Sequence, residues 1–242
     1  ELLREVARLV PNVDLHTPYG MTEVLPVADI TLRELEEVGV GEGVCVGFPA
    51  PGVEIAISAL DGDGAATGDL VNAANVVGEV CIKAPHAKDE YDRLWITQHA
   101  SAEPGGWHRS GDVGHLDDTG RLWIEGRLFH IMKTAHGIVT PVAIEHAVEA
   151  LPGFEMAAAV GVGPAGTQQV VVAAVPDEAV RRPRLADAEL AATVRRAVAV
   201  DVAAVLLVPE LPVDKRHNSK IDRTRVAEWA ERVLAGGRVG RT

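Results

Sequence analysis

The chain has 242 residues, 47% apolar and 4% aromatic, with 23 basic and 35 acidic side chains for a net charge of −12. This is enough apolar material for a packed core in one large domain or two smaller ones, and it argues against disorder. The acidic balance argues against a nucleic-acid backbone or an anionic membrane as the main partner. No apolar run is long enough to span a bilayer and no signal peptide is visible, so a cytoplasmic location is expected.

In chain order, ELLREVARLV predicts an amphipathic helix over residues 1–9, with Leu2, Leu3, Val6 and Val10 at helical spacing. It lacks an initiator Met and begins in mid-pattern, which predicts a piece of a longer chain. VDLHTPYG predicts a short strand entering a loop, and the acidic, Gly-bearing residues 31–43 a surface connection. VCVGFPAPGVEIAISAL reads as a strand pair around Pro51-Gly52, DGDGAATGD as a turn-rich loop and VVGEVCIKAP as a strand. Residues 90–99 suggest a short helix, and GWHRSGDVGHLDDTGRLWIEGR two strands joined by DDTG. After about residue 127 strands and helices alternate. PVAIEHAVEALPG predicts a helix with Pro141 in its first turn and Pro152-Gly153 as its stop. AAAVGVG and QQVVVAAVP read as strands, residues 176–189 as a polar connection, Leu185–Val200 as a helix and AAVLLVP as a strand. A last helix starts near Arg223, with Val226, Trp229 and Val233 on one face. The expected fold class is mixed α+β, strand-rich over residues 1–126 with a small α+β domain over 127–242. Cys45 and Cys81 lie in apolar runs and read as buried thiols, without disulfide or metal spacing.

Four stretches carry candidate chemistry. YGMTE, Tyr19 to Glu23 with Gly20 and Thr22, offers a ring for a base and a hydroxyl and carboxylate for a phosphate and its Mg²⁺; it is equally a turn with a packed Tyr. In RSGDVG, Asp112 among small neighbours fits a ribose diol or an Asx-type turn. Arg127 fits a ribose or phosphate oxygen or a surface ion pair. Lys220, in the polar loop LPVDKRHNSKIDR after His217, Asn218 and Ser219, is either a solvated charge or a fixed cation for a transition state. The nine histidines show no zinc spacing, and no G-x-S-x-G elbow is present.

Taken in order, YGMTE, GEVCIKAP, WHRSGDVGHLDDTGRLWIEGR, MKTAHGIVTPVAIEHAV and LPVDKRHNSKIDR resemble the adenylate-forming superfamily of acyl-CoA synthetases, adenylation domains and luciferases. The resemblance covers nearly the whole chain. It implies that Tyr19 stacks on adenine beside Gly20, Thr22 contacts the α-phosphate and Glu23 holds Mg²⁺. It further implies that Asp112 binds the ribose with Arg127 beside it, and that Lys220 bridges carboxylate and phosphate oxygens. Residues 1–126 would end the large AMP-binding domain and 127–242 would be the small mobile one, in an ATP- and Mg²⁺-dependent ligase.

Three departures accompany the resemblance. The family's phosphate loop lies upstream of the YGMTE position, so the missing N-terminal part of the same enzyme is an expected partner and the 242 residues are expected not to adenylate alone. The hinge position holds Phe129 in place of Asp or Lys. Ser219-Lys220 replaces the usual Gly-Lys. TPYGMTE, KTAHG and RHNSK together resemble the β-lactone synthetases of bacterial olefin biosynthesis. The implied reaction converts a 2-alkyl-3-hydroxy fatty acid to a β-lactone, with other olefin-pathway enzymes as partners. A fatty acyl-CoA synthetase or acyl-AMP ligase is the alternative, and a non-catalytic nucleotide- or partner-binding remnant the alternative of another class.

Overall fold

The computed structural model describes residues 2–213 and 220–237. His217, Asn218 and Ser219 therefore lie outside the described residues. The chain divides into two compact units, Glu1–Asp61 with Ala65–Leu128, and Gly62–Gly64 with Phe129–Thr242. The fold is mixed α+β.

The first unit contains α1 (Leu2–Leu9), β1 (His16–Met21), β2 (Val24–Thr31), α2 (Leu32–Val38), β3 (Val44–Pro49), β4 (Glu54–Leu60), β5 (Ala66–Val71), β6 (Gly78–Lys83), α3 (Trp95–Ala100), β7 (Ala102–Glu103), β8 (Trp107–Leu116) and β9 (Leu122–Arg127). Its strands form one sheet in the order β1-β2-β3-β9-β8-β6-β4-β5, with β7 beside β8. Three expectations are corrected here. Residues 31–43 are not a plain connection. Thr31 and Glu34 make a capping box, Thr31 N donating to Glu34 Oε2 at 2.8 Å and Glu34 N to Thr31 Oγ at 3.2 Å, and this starts α2. β3 and β4 both form, but not as a pair: β3 joins β2 and β9, while β4 joins β5 and β6. β5 also forms where a loop was expected. Val24, Val27, Ile55, Ile57, Val80, Ile82 and Leu122 pack one core. Cys45 and Cys81 are buried free thiols, as their apolar runs implied.

The second unit contains a 3₁₀ turn over Leu128–His130, β10 (Met132–Thr134), β11 (Gly137–Val139), α4 (Pro141–Glu149), β12 (Phe154–Val162), β13 (Gln169–Pro176), β14 (Arg184–Leu185), α5 (Ala188–Ala197), β15 (Val202–Leu207) and α6 (Arg223–Leu234). KTAHG makes the β10–β11 hairpin, and the other strands form a sheet in the order β12-β13-β15-β14. Both faces of that sheet are covered, so its strands read as unbroken apolar runs. Along β13, Val170, Val172 and Ala174 join Ile144, Val148 and Val194 of α4 and α5 in one cluster. Val171 and Ala173 join Val226, Trp229 and Ala230 of α6 in another. Buried Glu145 of α4 accepts from Arg223 Nε at 2.7 Å and Nη2 at 2.5 Å, and from Ala159 N at 3.0 Å, tying both helices to β12. No described helix is long and apolar enough to cross a membrane.

The DDTG turn joining β8 to β9 is built on Asp117. Its Oδ1 accepts from Thr119 N at 2.8 Å, Thr119 Oγ at 2.6 Å and Arg121 N at 3.0 Å, and its Oδ2 from Trp123 Nε1 at 3.1 Å. Burial alone would raise this carboxyl's pKa, but the Thr119 hydroxyl, the indole and the backbone donors outweigh it and hold the group well below the usual carboxylate range. A depressed native pKa gives stability that is present above the ordinary Asp value and lost as pH falls through the native one. Asp117→Asn is therefore expected to lower thermal stability at pH 7, with the gap from wild type narrowing as melts are taken at progressively lower pH below about 4.

Candidate functional site

The YGMTE stretch is the end of β1 and the tip of the β1–β2 hairpin. Met21 pairs with Val24, which leaves Thr22 and Glu23 as the two turn residues, and the register shifts between Tyr19 and Met21. Gly20 sits at that irregularity. A Cβ there would lie 2.6 Å from Leu25 Cδ1 and 2.8 Å from the Val24 carbonyl oxygen, so the strand's bend requires glycine. Thr22 is exposed and Glu23 half-buried.

Asp112 lies on β8 directly opposite Arg127 on β9. Arg127 Nε is 2.9 Å from Asp112 Oδ1, and Arg127 Nη1 donates to the Ser110 carbonyl at 3.2 Å. The Tyr19 hydroxyl donates to Asp112 Oδ2 at 2.5 Å. Burial, then the Asp112 charge, pushes the Tyr19 phenol far above its ordinary pKa, so it stays a donor. Tyr19, Asp112 and Arg127 thus form one cluster although the sequence separates them by 93 and 15 positions. Gly111, at φ +71°, turns the chain just before Asp112, and its N donates to Glu79 Oε1 at 3.1 Å. Glu79 in turn accepts from Arg109 Nε at 2.8 Å and Nη2 at 2.6 Å. Glu79 and Arg109 were not among the expected site residues. Their signal was an acid placed inside the apolar strand GEVCIKAP, where only a paired charge is tolerated.

Glu23 has a second set of neighbours that the sequence did not announce. The Tyr91 hydroxyl donates to Glu23 Oε1 at 2.7 Å, and Lys88 N donates to the Glu23 carbonyl at 2.8 Å. Burial opposes the charge on Glu23, but the Tyr91 hydrogen bond, a backbone hydrogen bond and the His108 and Lys88 charges together outweigh it and lower the pKa. Burial and the Glu23 carboxylate push the Tyr91 phenol up to about 12. His108 is buried, its Nδ1 has no hydrogen-bond partner among the described residues, and burial followed by the Lys88 charge lowers its pKa.

A divalent cation fits this donor set in one way. Among the described residues no group of three or more His, Cys, Asp or Glu side chains is arranged to hold a metal. One ionised carboxylate with lone pairs to spare suits Mg²⁺ that is also bound by a substrate's phosphate oxygens.

The remaining expected residues lie in the second unit. Phe129 is 73% exposed and rests against the His130 ring, with centroids 4.1 Å apart. Lys220 is exposed and directly precedes Ile221, which bridges Val213, and Asp222, whose N donates to the Pro212 carbonyl at 2.8 Å. Asp222 then caps α6 through Arg225 N at 3.1 Å.

No protein-family model matches the chain. The olefin beta-lactone synthetase of Stenotrophomonas maltophilia (strain K279a) is 35% identical over 253 residues, covering 97% of this chain and 45% of that protein. The enzyme of the same name from Xanthomonas campestris pv. campestris is 35% identical over 252 residues, covering 95% and 45%. The chain thus spans about half the length of the curated relatives it matches. Among solved structures, ATP-bound MatB from Rhodopseudomonas palustris superposes with a TM-score of 0.73 at 22% identity, over 90% of this chain and 41% of that one, a likeness of fold.

Gly20→Ala is expected to cost about 1–3 kcal/mol by overpacking. Gly62→Ala, where a Cβ would meet nothing within 4 Å, is expected to be near neutral. Denaturant unfolding of the two variants side by side checks the difference.

Proposed function

Because the chain belongs to the adenylate-forming superfamily and matches its C-terminal part, we propose that it serves an ATP-dependent ligase that activates a carboxylic acid as its acyl-adenylate. The observation that carries this reading is the Tyr19–Asp112–Arg127 cluster, an aromatic ring from β1 meeting a carboxylate and a guanidinium on the paired strands β8 and β9. That set suits a nucleoside: a face for the base, an acceptor for the ribose hydroxyls and a cation for an adjacent oxygen. In this proposal the first unit is the end of the large AMP-binding domain, the second is the small mobile domain, and Phe129 stands at the hinge.

Thr22 would donate to the α-phosphate, and Glu23 would hold Mg²⁺, whose charge offsets that of the phosphates. The substrate carboxylate oxygen attacks the α-phosphorus, one O–P bond forms, the α–β bridge breaks and pyrophosphate leaves. Lys220 would stabilise the charge that gathers on the entering carboxylate and α-phosphate oxygens, acting as a fixed cation and not as a base.

The likeness to two olefin beta-lactone synthetases over nearly the whole chain supports a finer reading. We propose that the acid is a 2-alkyl-3-hydroxy fatty acid. Its 3-hydroxyl oxygen attacks the activated carbonyl, loses its proton, and displaces AMP to close a β-lactone. Tethering supplies the nucleophile at high effective concentration, so no second substrate is required. The Phe129 and Ser219-Lys220 departures are consistent with an enzyme that dispenses with a thioester step.

The full-length protein, given ATP, Mg²⁺ and a 2-alkyl-3-hydroxy acid without CoA, is expected to release β-lactone, AMP and pyrophosphate in equal amounts. A CoA thioester as the main product when CoA is added would reject the lactone reading. Lys220→Met is expected to slow pyrophosphate release by about 10²–10³-fold while leaving ATP affinity, measured by calorimetry, within about twofold of wild type.

A further inference from the structure

We propose that Tyr91 is a positioning residue for Glu23, held there by a strap over residues 88–98 that also keeps a competing cation away from the carboxylate. This inference rests on the metal role proposed for Glu23.

The strap is fastened at Glu23 twice, by the Tyr91 hydroxyl on Oε1 and by Lys88 N on the main-chain carbonyl. Gln98 closes it from the other end. Its Oε1 accepts from Tyr91 N at 3.0 Å and from Lys88 Nζ at 3.0 Å, and its Nε2 donates to the Asp89 carbonyl at 3.4 Å. The Lys88 ammonium also stands 4.0 Å from the centre of the Tyr91 ring. Tyr91 is thus gripped on its backbone and on its face, with its hydroxyl as the one end directed to Glu23.

The choice of donor has a chemical consequence. A neutral phenol fixes the carboxylate's rotamer and occupies one lone pair without cancelling its charge. An ammonium in the same place would form an ion pair and oppose a divalent ion. The charge of Lys88 is felt at Glu23, yet its ammonium donates to Gln98 Oε1 and stands over the Tyr91 ring. Hydrogen-bonded partners of this kind orient carboxylate ligands and tune their affinity.

The test uses the full-length protein with ATP titrated by calorimetry, once with Mn²⁺ or Mg²⁺ and once with the metal removed by EDTA, and with thermal melts as a folding check. Tyr91→Phe is expected to weaken metal-dependent ATP binding by about tenfold and to leave metal-free ATP binding unchanged. Gln98→Ala, which keeps the phenol but frees Lys88, is expected to shift the same quantity in the same direction, and Lys88→Met in the Gln98→Ala background to restore it. A role that is only structural would change both titrations together, and that result overturns the inference. Retention of wild-type metal dependence in both Tyr91→Phe and Gln98→Ala overturns it as well. Glu23→Gln separates the two levels: if it leaves metal-dependent binding intact, the metal role of Glu23 itself is wrong; if it abolishes that binding while the strap variants do nothing, only the positioning role falls.

Discussion

The first unit depends on the register of β8 against β9. That register sets Asp112 opposite Arg127, and the 2.9 Å ion pair between them also receives the Tyr19 hydroxyl from a distant strand. Side chains alternate faces along a strand, so a one-residue slip would send Asp112 and Arg127 to different sides and dissolve the cluster. The slip is opposed locally. Asp117 collects the turn's donors and Trp123, two residues into β9, returns its indole to the same carboxylate. The turn chemistry and the candidate nucleotide cluster are therefore one device.

The second unit solves a different problem. Its small sheet is covered on both faces, which makes its strands hard to separate from buried helices by periodicity alone. The Glu145–Arg223 pair shows how the covering helices are fixed: a buried acid of α4 takes both a guanidinium from the start of α6 and a backbone donor from β12. Directly before α6 come Lys220, the Val213–Ile221 bridge and the Asp222 cap. Lys220 thus stands three residues before a helix whose start is braced by these contacts.

Much of this was legible from local pattern. The Ala- and Val-rich strands, the Pro-started α4, the buried thiols and the DDTG hairpin all follow from short-range rules of turn, cap and alternation. The capping box at Thr31–Glu34 was equally present in the letters, but the surrounding acids and glycines masked it, and α2 was read as a connection. What local pattern could not give was pairing. β3 and β4 flank a Pro-Gly turn yet pair with other strands, because the sheet's partners are chosen by packing across the core. The Tyr91–Glu23 contact spans 68 positions, and KDEYDRLW carries no periodic or turn signal that points to it. The Tyr19–Asp112 bond is of the same kind: each residue was singled out, their hydrogen bond was not.

One consequence of the core's composition concerns how each unit opens on its own. Cys45 and Cys81 are this chain's only cysteines, both are enclosed within the first unit, and desolvation pushes the Cys81 thiol up to about 12. Alkylating reagents attack thiolates, so in the native protein these two sulfurs are silent on both counts. Their labelling rate under mild denaturant is accordingly a clock for opening of the first unit alone. Once Trp95, Trp107 and Trp123 of the first unit are replaced by Phe, fluorescence from Trp229, enclosed in the second unit, keeps separate time for the other.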